Sequence, residues 1–188
     1  EAFLLTTHEH LTAYMSALSR ALPIESRFLT RLGDHLNAEI TLGTVSTVNE
    51  AMRWLDYTFL AVRARKNPLR YGISGGDIKG AASVDVLLDA TLRGWLERTC
   101  DQLQVCGMIS YHAGTGIVKA KPLGRIASHF YIKYETMDLV SKLLNRRMGE
   151  EQLLVLMGQS AEFVDSLRCR PEEAQDLAVV QARYAPLT

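Results

Sequence analysis

Apolar positions recur along most of the chain at the spacing of an amphipathic α-helix. The clearest case is residues 84–105, where the apolar positions form one continuous stripe. The stripe consists of Leu87, Leu88, Leu92, Trp95, Leu96, Cys100 and Leu103. The same pattern predicts further helices over residues 8–20, 27–39, 48–55, 57–66, 123–132, 136–147, 150–158, 160–166 and 171–184. The chain is therefore predicted to be mainly α-helical.

Capping residues and helix breakers mark the ends of several of these helices. Thr47 and Glu50 have the spacing of a capping box, in which each side chain accepts a hydrogen bond from the backbone of the other. Asp56 is predicted to cap the next helix, and Asn67-Pro68 to end it. Three other segments are predicted to be non-helical: residues 2–6 as a short buried strand, residues 41–43 as an extended link and residues 72–82 as a loop.

Two short apolar runs follow the long helix and flank a turn that contains glycines. Residues 108–111 and 117–120 enclose Ala113-Gly114-Thr115-Gly116, which predicts a β-hairpin. Helices, then a long helix, then a hairpin is the order of elements in a winged helix, with the hairpin as the wing. The predicted fold is mainly α: a winged helix (a helix-turn-helix core with a β-hairpin wing) followed by a helical segment.

The composition is that of a globular chain with one domain, or one domain and part of another. With 188 residues, 47% hydrophobic and 22% charged, the chain is neither intrinsically disordered nor collagen-like. Basic and acidic side chains balance at 21 each, which argues against a general phosphate-binding surface. The charge is uneven, because residues 61–133 carry a net +6 between two segments of −3. This basic middle indicates a nucleic-acid-facing surface or a complement to the acidic ends.

The first residues and the cysteines indicate where the chain comes from. It begins at Glu1 without Met, and its first residues read like the middle of an element, so we expect a piece of a longer protein. No signal peptide and no membrane span are predicted. Cys100, Cys106 and Cys169 are too few for a disulfide framework and lack zinc-site spacing. Reduced thiols favour the nucleus or the cytosol.

The sequence has no motif that carries catalytic chemistry. It contains neither a G-x-x-x-x-G-K-[ST] phosphate-binding loop nor a G-x-S-x-G nucleophile elbow. The Gly-x-Gly of residues 114–116 is too short for a dinucleotide fingerprint. The acid pairs Glu150-Glu151 and Glu172-Glu173 lie at predicted helix starts, where carboxylates favour the helix dipole. We therefore expect no catalytic, cofactor-binding or metal-ligating residue in this chain.

The long helix at 84–105 stands where a DNA-reading winged helix would place its recognition helix. Its charged residues recur every four positions and so share one stripe: Asp85, Asp89, Arg93, Glu97 and Asp101. Because most of this stripe is acidic, phosphate groups would repel it. We therefore expect this helix to dock on protein rather than to read a major groove.

Basic residues elsewhere are the candidates for contact with nucleic acid or with a neighbouring domain. They are Arg63, Arg65, Lys66, Arg70, Lys119, Lys121 and Arg125. The first four bracket Asn67-Pro68, and the last three lie in and after the wing. Either a solvated, salt-bridged face or contact with a nucleic-acid backbone would account for them.

Several short sequence motifs follow one another along the chain. They are Leu22-Pro23-Ile24-Glu25-Ser26, Leu36-Asn37-Ala38-Glu39-Ile40, Leu42-Gly43-Thr44-Val45, Trp54-Leu55-Asp56-Tyr57-Thr58-Phe59-Leu60, Asn67-Pro68, Tyr71-Gly72-Ile73, Leu123-Gly124-Arg125-Ile126-Ala127-Ser128-His129-Phe130-Tyr131-Ile132 and Ser160-Ala161-Glu162-Phe163. In these motifs and their order, the chain resembles the Ski-like DExH-box RNA helicases of the spliceosomal and activating signal cointegrator complex type. The resemblance covers nearly the whole chain.

The resemblance implies a position within a larger helicase. Residues 1–24 would be the tail of the second RecA-like motor domain, residues 25–121 the winged-helix domain and residues 122–188 the start of a helical domain. The ATP and Mg²⁺ sites of such a helicase lie outside this chain, so no catalytic residue is carried over. The implied partners are the motor and helical domains of the parent and, through the parent, RNA or DNA.

The leading hypothesis is a winged-helix and helical scaffold that clamps the motor domains and helps to guide the nucleic-acid strand. On this hypothesis the parent is an ATP-dependent RNA helicase and the chain alone is not an enzyme. An independent winged-helix nucleic-acid-binding regulator and a protein-interaction module are the alternatives. If residues 2–6 have lost their sheet, we expect them to be disordered, irregular or paired with a second copy in a dimer.

Overall fold

The structure, a computed structural model, describes residues 3–20, 24–73, 84–166 and 170–184. In chain order its elements are α1 (His8–Arg20), α2 (Leu32–Leu42), α3 (Val48–Asp56), α4 (Phe59–Lys66), α5 (Val84–Val105), β1 (Ile109–His112), β2 (Ile117–Ala120), α6 (Pro122–Phe130), α7 (Tyr134–Leu143), α8 (Glu150–Gly158), α9 (Ala161–Ser166) and α10 (Ala174–Tyr184). Short 3₁₀ helices occupy Phe28–Arg31, Pro68–Tyr71 and Pro171–Glu173. Among the described helices, none combines the length and the hydrophobicity needed to cross a membrane.

Helix α5 lies at the centre of the core. Its apolar stripe is buried, with Leu92, Leu96 and Leu103 at 0% exposure. The stripe packs against α2, α3, α4 and β1, which contribute buried leucines at 36, 55 and 60. The helix predicted over residues 84–105 is confirmed, and its apolar face is the one that packs against the core.

The predicted hairpin is present and forms the wing. Strands β1 and β2 are antiparallel, with Ile109 opposite Ala120 and His112 opposite Ile117. A short extended segment before α3 adds to β2, because the Val118 N–H donates to the Ser46 carbonyl at 2.9 Å. Helices, a long helix and a wing confirm the predicted winged-helix class, and further helices follow it.

The capping box at the start of α3 forms as predicted. Thr47 Oγ1 accepts from the Glu50 N–H at 3.2 Å, and the Glu50 carboxylate accepts from the Thr47 N–H at 3.2 Å. Ser46 also donates to this carboxylate through its hydroxyl at 2.6 Å. The hydrogen bond from the Ser46 hydroxyl, followed by backbone hydrogen bonds, lowers the pKa of Glu50.

The predicted cap of the next helix is wrong. Asp56 is the last residue of α3, and Thr58 caps α4, accepting from the Ala61 N–H at 3.4 Å. Both residues are good cap formers, and two more residues of chain are needed to turn from one helix into the next. The carboxylate of Asp56 instead pairs with Arg65 at 2.9 Å.

Other predicted boundaries also differ from the structure. Residues 3–7 are irregular rather than a buried strand, with Leu5 97% exposed, and residue 2 lies outside the described residues. Helix α2 continues through the predicted link and ends at Gly43, whose φ of 82° is a left-handed conformation that glycine adopts readily. Of the predicted 72–82 loop, only Gly72 and Ile73 lie in the described residues.

Two of the three cysteines are buried thiols within the described residues. Cys100 is 1% exposed and Cys106 is 7% exposed, and both are free. Burial is the main cause that raises the pKa of Cys100 to about 12 and that of Cys106 to about 11. Both thiols therefore stay protonated at neutral pH and have a packing role. Cys169 lies outside the described residues.

Candidate functional site

The first basic candidate, Arg63, is held inside a cluster of polar side chains. Its guanidinium donates two hydrogen bonds to the Glu25 carboxylate, at 2.8 and 3.2 Å. Asn67 and Tyr71 each donate to the same carboxylate at 2.9 Å. The side chains of Arg63 and Glu25 are only 15% and 20% exposed. The cluster therefore ties the segment before α2 to α4 and the 3₁₀ turn after it.

Because of this cluster, the free energy of unfolding should depend on pH in the acid range. The Arg63 hydrogen bonds, then that of Asn67, lower the pKa of Glu25 from 4.5 to about 2. A folded-state pKa below the unfolded value means that the carboxylate stabilises the fold above about pH 4.5, and that this contribution is lost as the pH falls toward about 2. We expect the Tm difference between wild type and Glu25→Gln to be largest near pH 7 and to shrink steadily as the pH falls from about 4.5 toward 2.

Thermal unfolding followed by circular dichroism at a series of pH values measures this. Asp89→Asn, a change at an exposed position beyond the first turn of α5, is the control and should follow the wild-type profile. A Glu25→Gln profile parallel to that of the wild type across the whole range would contradict the assignment.

The other three candidates near α4 are exposed. Arg65 forms an ion pair with Asp56 at 2.9 Å, and each side chain is 40% exposed. Lys66 ends α4, and Arg70 lies in the 3₁₀ turn that follows. These three basic groups present positive charge around one end of α4.

The second basic group begins at the edge of the wing. Lys119 lies on β2 opposite Ser110, Lys121 precedes α6, and Arg125 lies one turn into α6. All three lysine and arginine side chains are exposed. The structure thus divides the seven candidates into a group around α4 and a group on β2 and α6. Their role in nucleic-acid binding stays a prediction.

The acidic stripe of α5 is on the outer side of that helix. Asp85, Asp89 and Asp101 are exposed and Glu97 is half-buried. Arg93 interrupts the stripe and donates to Asn49 Oδ1 of α3 at 2.8 Å. It also lies 3.9 Å from Glu97. The helix therefore presents mostly negative charge at the position of a recognition helix.

A joint that residue spacing did not predict connects the winged helix to the following helices. The backbone of Gly124 in α6 lies directly on α2 and on the start of the wing. Asn37 Nδ2 donates to the Gly124 carbonyl at 2.9 Å, in a fully buried contact. The Lys121 N–H donates to the Met108 carbonyl at 2.9 Å. Helix α2 thus packs on both the winged-helix core and α6.

The next helix, α7, also begins against α2. Asp34 Oδ1 accepts from the Tyr134 N–H at 2.8 Å, which satisfies one of the unpaired donors at the start of α7. The Tyr134 ring lies against Gly33, where a Cβ atom would come within 2.9 Å of it. Since glycine leaves room for the ring, the two helices approach closely at this point.

Glu162 of α9 completes the joint. Its carboxylate accepts from the Lys133 N–H at 2.7 Å and from the Thr136 hydroxyl at 2.5 Å. Burial raises the pKa of Glu162, but the hydrogen bonds from Thr136 and Lys133 outweigh it and lower the pKa overall. Gly124 and Glu162 both lie in the short motifs on which the family resemblance rests. That resemblance was the only sequence feature that singled out these two residues.

The two acid pairs that the sequence placed at helix starts are found there, Glu150-Glu151 in α8 and Glu172-Glu173 in the 3₁₀ turn before α10. Glu150 and Glu151 lie in the first turn of α8, and Glu173 accepts from the Arg170 N–H at 3.1 Å. In the part of the chain that the structure describes, no group of three His, Cys, Asp or Glu side chains is placed to hold a metal ion.

Comparisons with protein families match two consecutive parts of the chain. Residues 25–104 match a family described as a winged helix-turn-helix domain. Residues 120–188 match the Sec63 Brl domain. The joint at Gly124 and Asp34 therefore connects the residues of the first match to those of the second.

Curated relatives match the chain over most or all of its length. Activating signal cointegrator 1 complex subunit 3 of Dictyostelium discoideum is 42% identical over 94% of the chain. The U5 small nuclear ribonucleoprotein 200 kDa helicase of Caenorhabditis elegans is 42% identical over 100% of it. The DExH-box ATP-dependent RNA helicase DExH14 of Arabidopsis thaliana is 36% identical over 100% of it. The chain spans 8% of the length of each of these relatives.

Proposed function

Since this chain belongs to the family of large Ski-like DExH-box RNA helicases, we propose that it is the winged-helix and helical scaffold of an ATP-dependent RNA helicase. In this proposal residues 1–24 are the tail of the second RecA-like motor domain, residues 25–121 the winged helix and residues 122–188 the start of the helical domain. The scaffold clamps the motor domains and helps to guide the strand. ATP and Mg²⁺ bind to the parent's motor domains, and the chain alone has no ATPase activity.

The observation that carries this proposal is the shared use of α2. One face of α2 is part of the winged-helix core through Leu36 and Ile40. Gly33, Asp34 and Asn37 of the same helix hold α6 and α7. Because protein interiors are close-packed, a displacement of the winged helix is transmitted to the helical segment. This is the mechanical property that a scaffold between moving domains needs.

The relatives' names extend the proposal to partners and location. One relative is named for the U5 small nuclear ribonucleoprotein and another for the activating signal cointegrator 1 complex. We infer RNA as the parent's substrate, sister domains of the parent as this chain's partners, and the nucleus or cytosol as its location.

The exposed Phe3, Leu4 and Leu5 also support a dimer contact through residues 2–6 when the motor domain is missing. Light scattering would detect such a dimer.

A second candidate function, an independent nucleic-acid-binding regulator, is supported by the exposed basic residues. Lys119, Lys121 and Arg125 present positive charge along the wing and α6. Phosphate contacts alone can produce binding that falls steeply with salt. The two functions therefore differ in what this chain does without its motor domains.

Fluorescence anisotropy of the chain with single-stranded and duplex RNA and DNA, titrated with salt, tests the proposal. We expect binding at about 50 mM salt that is lost near physiological salt of about 150 mM. The double variant Lys121→Glu/Arg125→Glu should weaken the low-salt binding. Arg98→Glu, which changes an exposed arginine on α5, is the matched control and should leave it unchanged. Tight duplex binding near physiological salt would overturn the scaffold proposal in favour of the independent regulator.

A further inference from the structure

A groove between α2 and α6 is the feature from which this inference begins. It encloses 890 Å³. Its walls include large apolar side chains that face solvent: Leu42 is 74% exposed, Ile126 43% and Phe130 64%. Single exposed apolar residues are common on proteins, but several together along one concave surface indicate a binding site.

Tyr131 stands at the end of this groove in an unfavourable backbone conformation. Its φ of 57° makes it the one residue other than glycine with a positive φ in the described ranges. It caps the end of α6, with its N–H bonded to the Ala127 carbonyl, at a position where glycine is usual. The side chain is 91% exposed. No contact within the described residues accounts for a tyrosine at this position. A strained residue of this kind often serves a binding contact, so a segment outside the described residues is the candidate partner of Tyr131.

Two polar atoms of groove-lining residues are also unsatisfied. Asn37 is 2% exposed, and neither its Oδ1 nor the buried Oγ1 of Thr41 has a hydrogen-bond partner among the described residues. Buried polar groups in folded proteins nearly always have partners. Both residues line the groove from α2, one turn apart.

The charge at the rim limits what can bind. Arg125 and His129 line the α6 side of the groove. Asp34, an acid on the α2 side, already accepts from the Tyr134 N–H. The groove is thus lined largely by apolar groups, with the guanidinium of Arg125 at its rim. An occupant that complements it has aliphatic side chains on one face and a carboxylate beside them.

We propose that the groove between α2 and α6 docks an acidic amphipathic helix from another part of the same helicase polypeptide. Its aliphatic residues fill the groove against Ile126 and Phe130, its carboxylate pairs with Arg125, and Tyr131 packs over it. This inference rests on the proposed function, because it takes the occupant from the parent chain.

The size of the groove argues for a segment of the same polypeptide. Helix α2 has 11 residues and α6 has 9, so the groove is at most about 16 Å long at ~1.5 Å per residue. A helix of that length buries far less than the ~1,600 Å² typical of a stable complex between separate proteins. A tethered segment binds at a high effective concentration and needs no such area. The chain spans 8% of its relatives' length, so a parent of that length contains many other segments that could supply the helix.

Photo-crosslinking in the full-length parent tests this directly. Tyr131 is replaced by the photoreactive amino acid p-benzoylphenylalanine, and the cross-linked peptide is identified by mass spectrometry after illumination. We expect an intramolecular cross-link to a segment with aliphatic residues at helical spacing and an acidic side chain. The same replacement at Tyr57, which is 92% exposed at the end of α3, is the position control and should not capture that segment.

The yield of the cross-link in charge variants tests whether Arg125 pairs with an acid of the docked segment. Arg125→Glu should reduce the yield of the cross-link at least severalfold, and charge reversal of the acid in the captured segment should restore it. Lys119→Glu, a like change at an exposed position on β2, should not reduce the yield. A cross-link to RNA, to another protein or to a second copy would overturn the inference, as would no cross-link at all.

A melting experiment separates docking from a structural role of Tyr131. Tyr131→Gly should raise the Tm of the 188-residue chain, because glycine adopts the left-handed conformation without strain. In the full-length parent the same change should lower the Tm, because the docking contact is lost. A shift of the same sign in both proteins would overturn the inference. ATP-dependent unwinding by the parent is assayed separately, so failure of the proposed function remains distinguishable from failure of the docking site.

Discussion

Replacing Gly124 with alanine should lower the free energy of unfolding by about 3 kcal/mol, the upper end of the usual effect of overpacking. A Cβ atom at this position would lie 2.3 Å from the Met108 carbonyl oxygen and 2.6 Å from Asn37 Oδ1. The first of these is a backbone atom at the start of the wing, so it cannot move aside like the end of a flexible side chain. Helix α6 must therefore shift away from α2.

That shift would break the hydrogen bonds that join the two halves of the chain. The Asn37 amide would lose the Gly124 carbonyl, and the Lys121 N–H would lose the Met108 carbonyl. A buried donor left without a partner costs about 1–3 kcal/mol. At ~2–4 °C per kcal/mol for a chain of this size, the Tm should fall by roughly 6–12 °C.

Urea unfolding followed by circular dichroism measures the change. Gly114→Ala is the matched control, because a Cβ atom at Gly114 meets nothing within 4 Å; that variant should unfold like the wild type. If Gly124→Ala left the midpoint within experimental error, the close packing of α6 on α2 would be wrong. The proposed function adds a second expectation: in the full-length parent, the same variant should lose more RNA unwinding than ATP hydrolysis, since a scaffold with this joint loosened would no longer move as one body.

The second large effect is expected from Leu96→Ala at the centre of α5. Leu96 is 0% exposed, and α5 packs against α2, α3, α4 and β1. Deleting a fully buried leucine side chain costs about 2–5 kcal/mol, because transfer energy is lost and a cavity remains. We expect about 3 kcal/mol here, since neighbours on several elements cannot all relax into the space.

Val105→Ala tests whether the loss depends on burial rather than on helix propensity. Val105 is the last residue of α5 and is 78% exposed, so its replacement should change stability by no more than about 0.5 kcal/mol. Equal losses from Leu96→Ala and Val105→Ala in urea unfolding would show that the packing face of α5 has been misassigned.

The elements that were predicted correctly depend on neighbours in sequence. The apolar stripe of α5 and the capping box at Thr47 and Glu50 involve positions at most a few residues apart. The hairpin also follows from local signals, since its two strands are separated by a short turn. Such elements can be inferred from one sequence because the interactions that define them lie within it.

The boundaries that were wrong are places where two local signals compete. Asp56 and Thr58 can both cap a helix, and only the path from α3 to α4 decides for Thr58. Gly43 can begin an extended link or end a helix in a left-handed conformation, and the structure shows the second. Residues 3–6 have the composition of a buried strand, but no strand among the described residues pairs with them, and they are irregular and exposed.

The candidate site was predicted only in outline. The sequence identified seven basic residues, but it could not show that Arg63 is held by Glu25, 38 residues earlier. It also could not show that Asp34 binds the Tyr134 N–H, 100 residues later. Residue types alone do not distinguish an arginine that binds phosphate from one that holds two segments together.

The sequence by itself determined the class of fold, the place of the long helix and the wing, and the family, because these follow from periodicity, local capping and the order of short motifs. Only the tertiary structure decided which charged groups pair with one another, which glycines let helices approach, and which apolar surfaces stay open. Those properties depend on contacts between segments far apart in the chain, such as Asn37 with Gly124. The distances that set their energies exist only once the helices have packed.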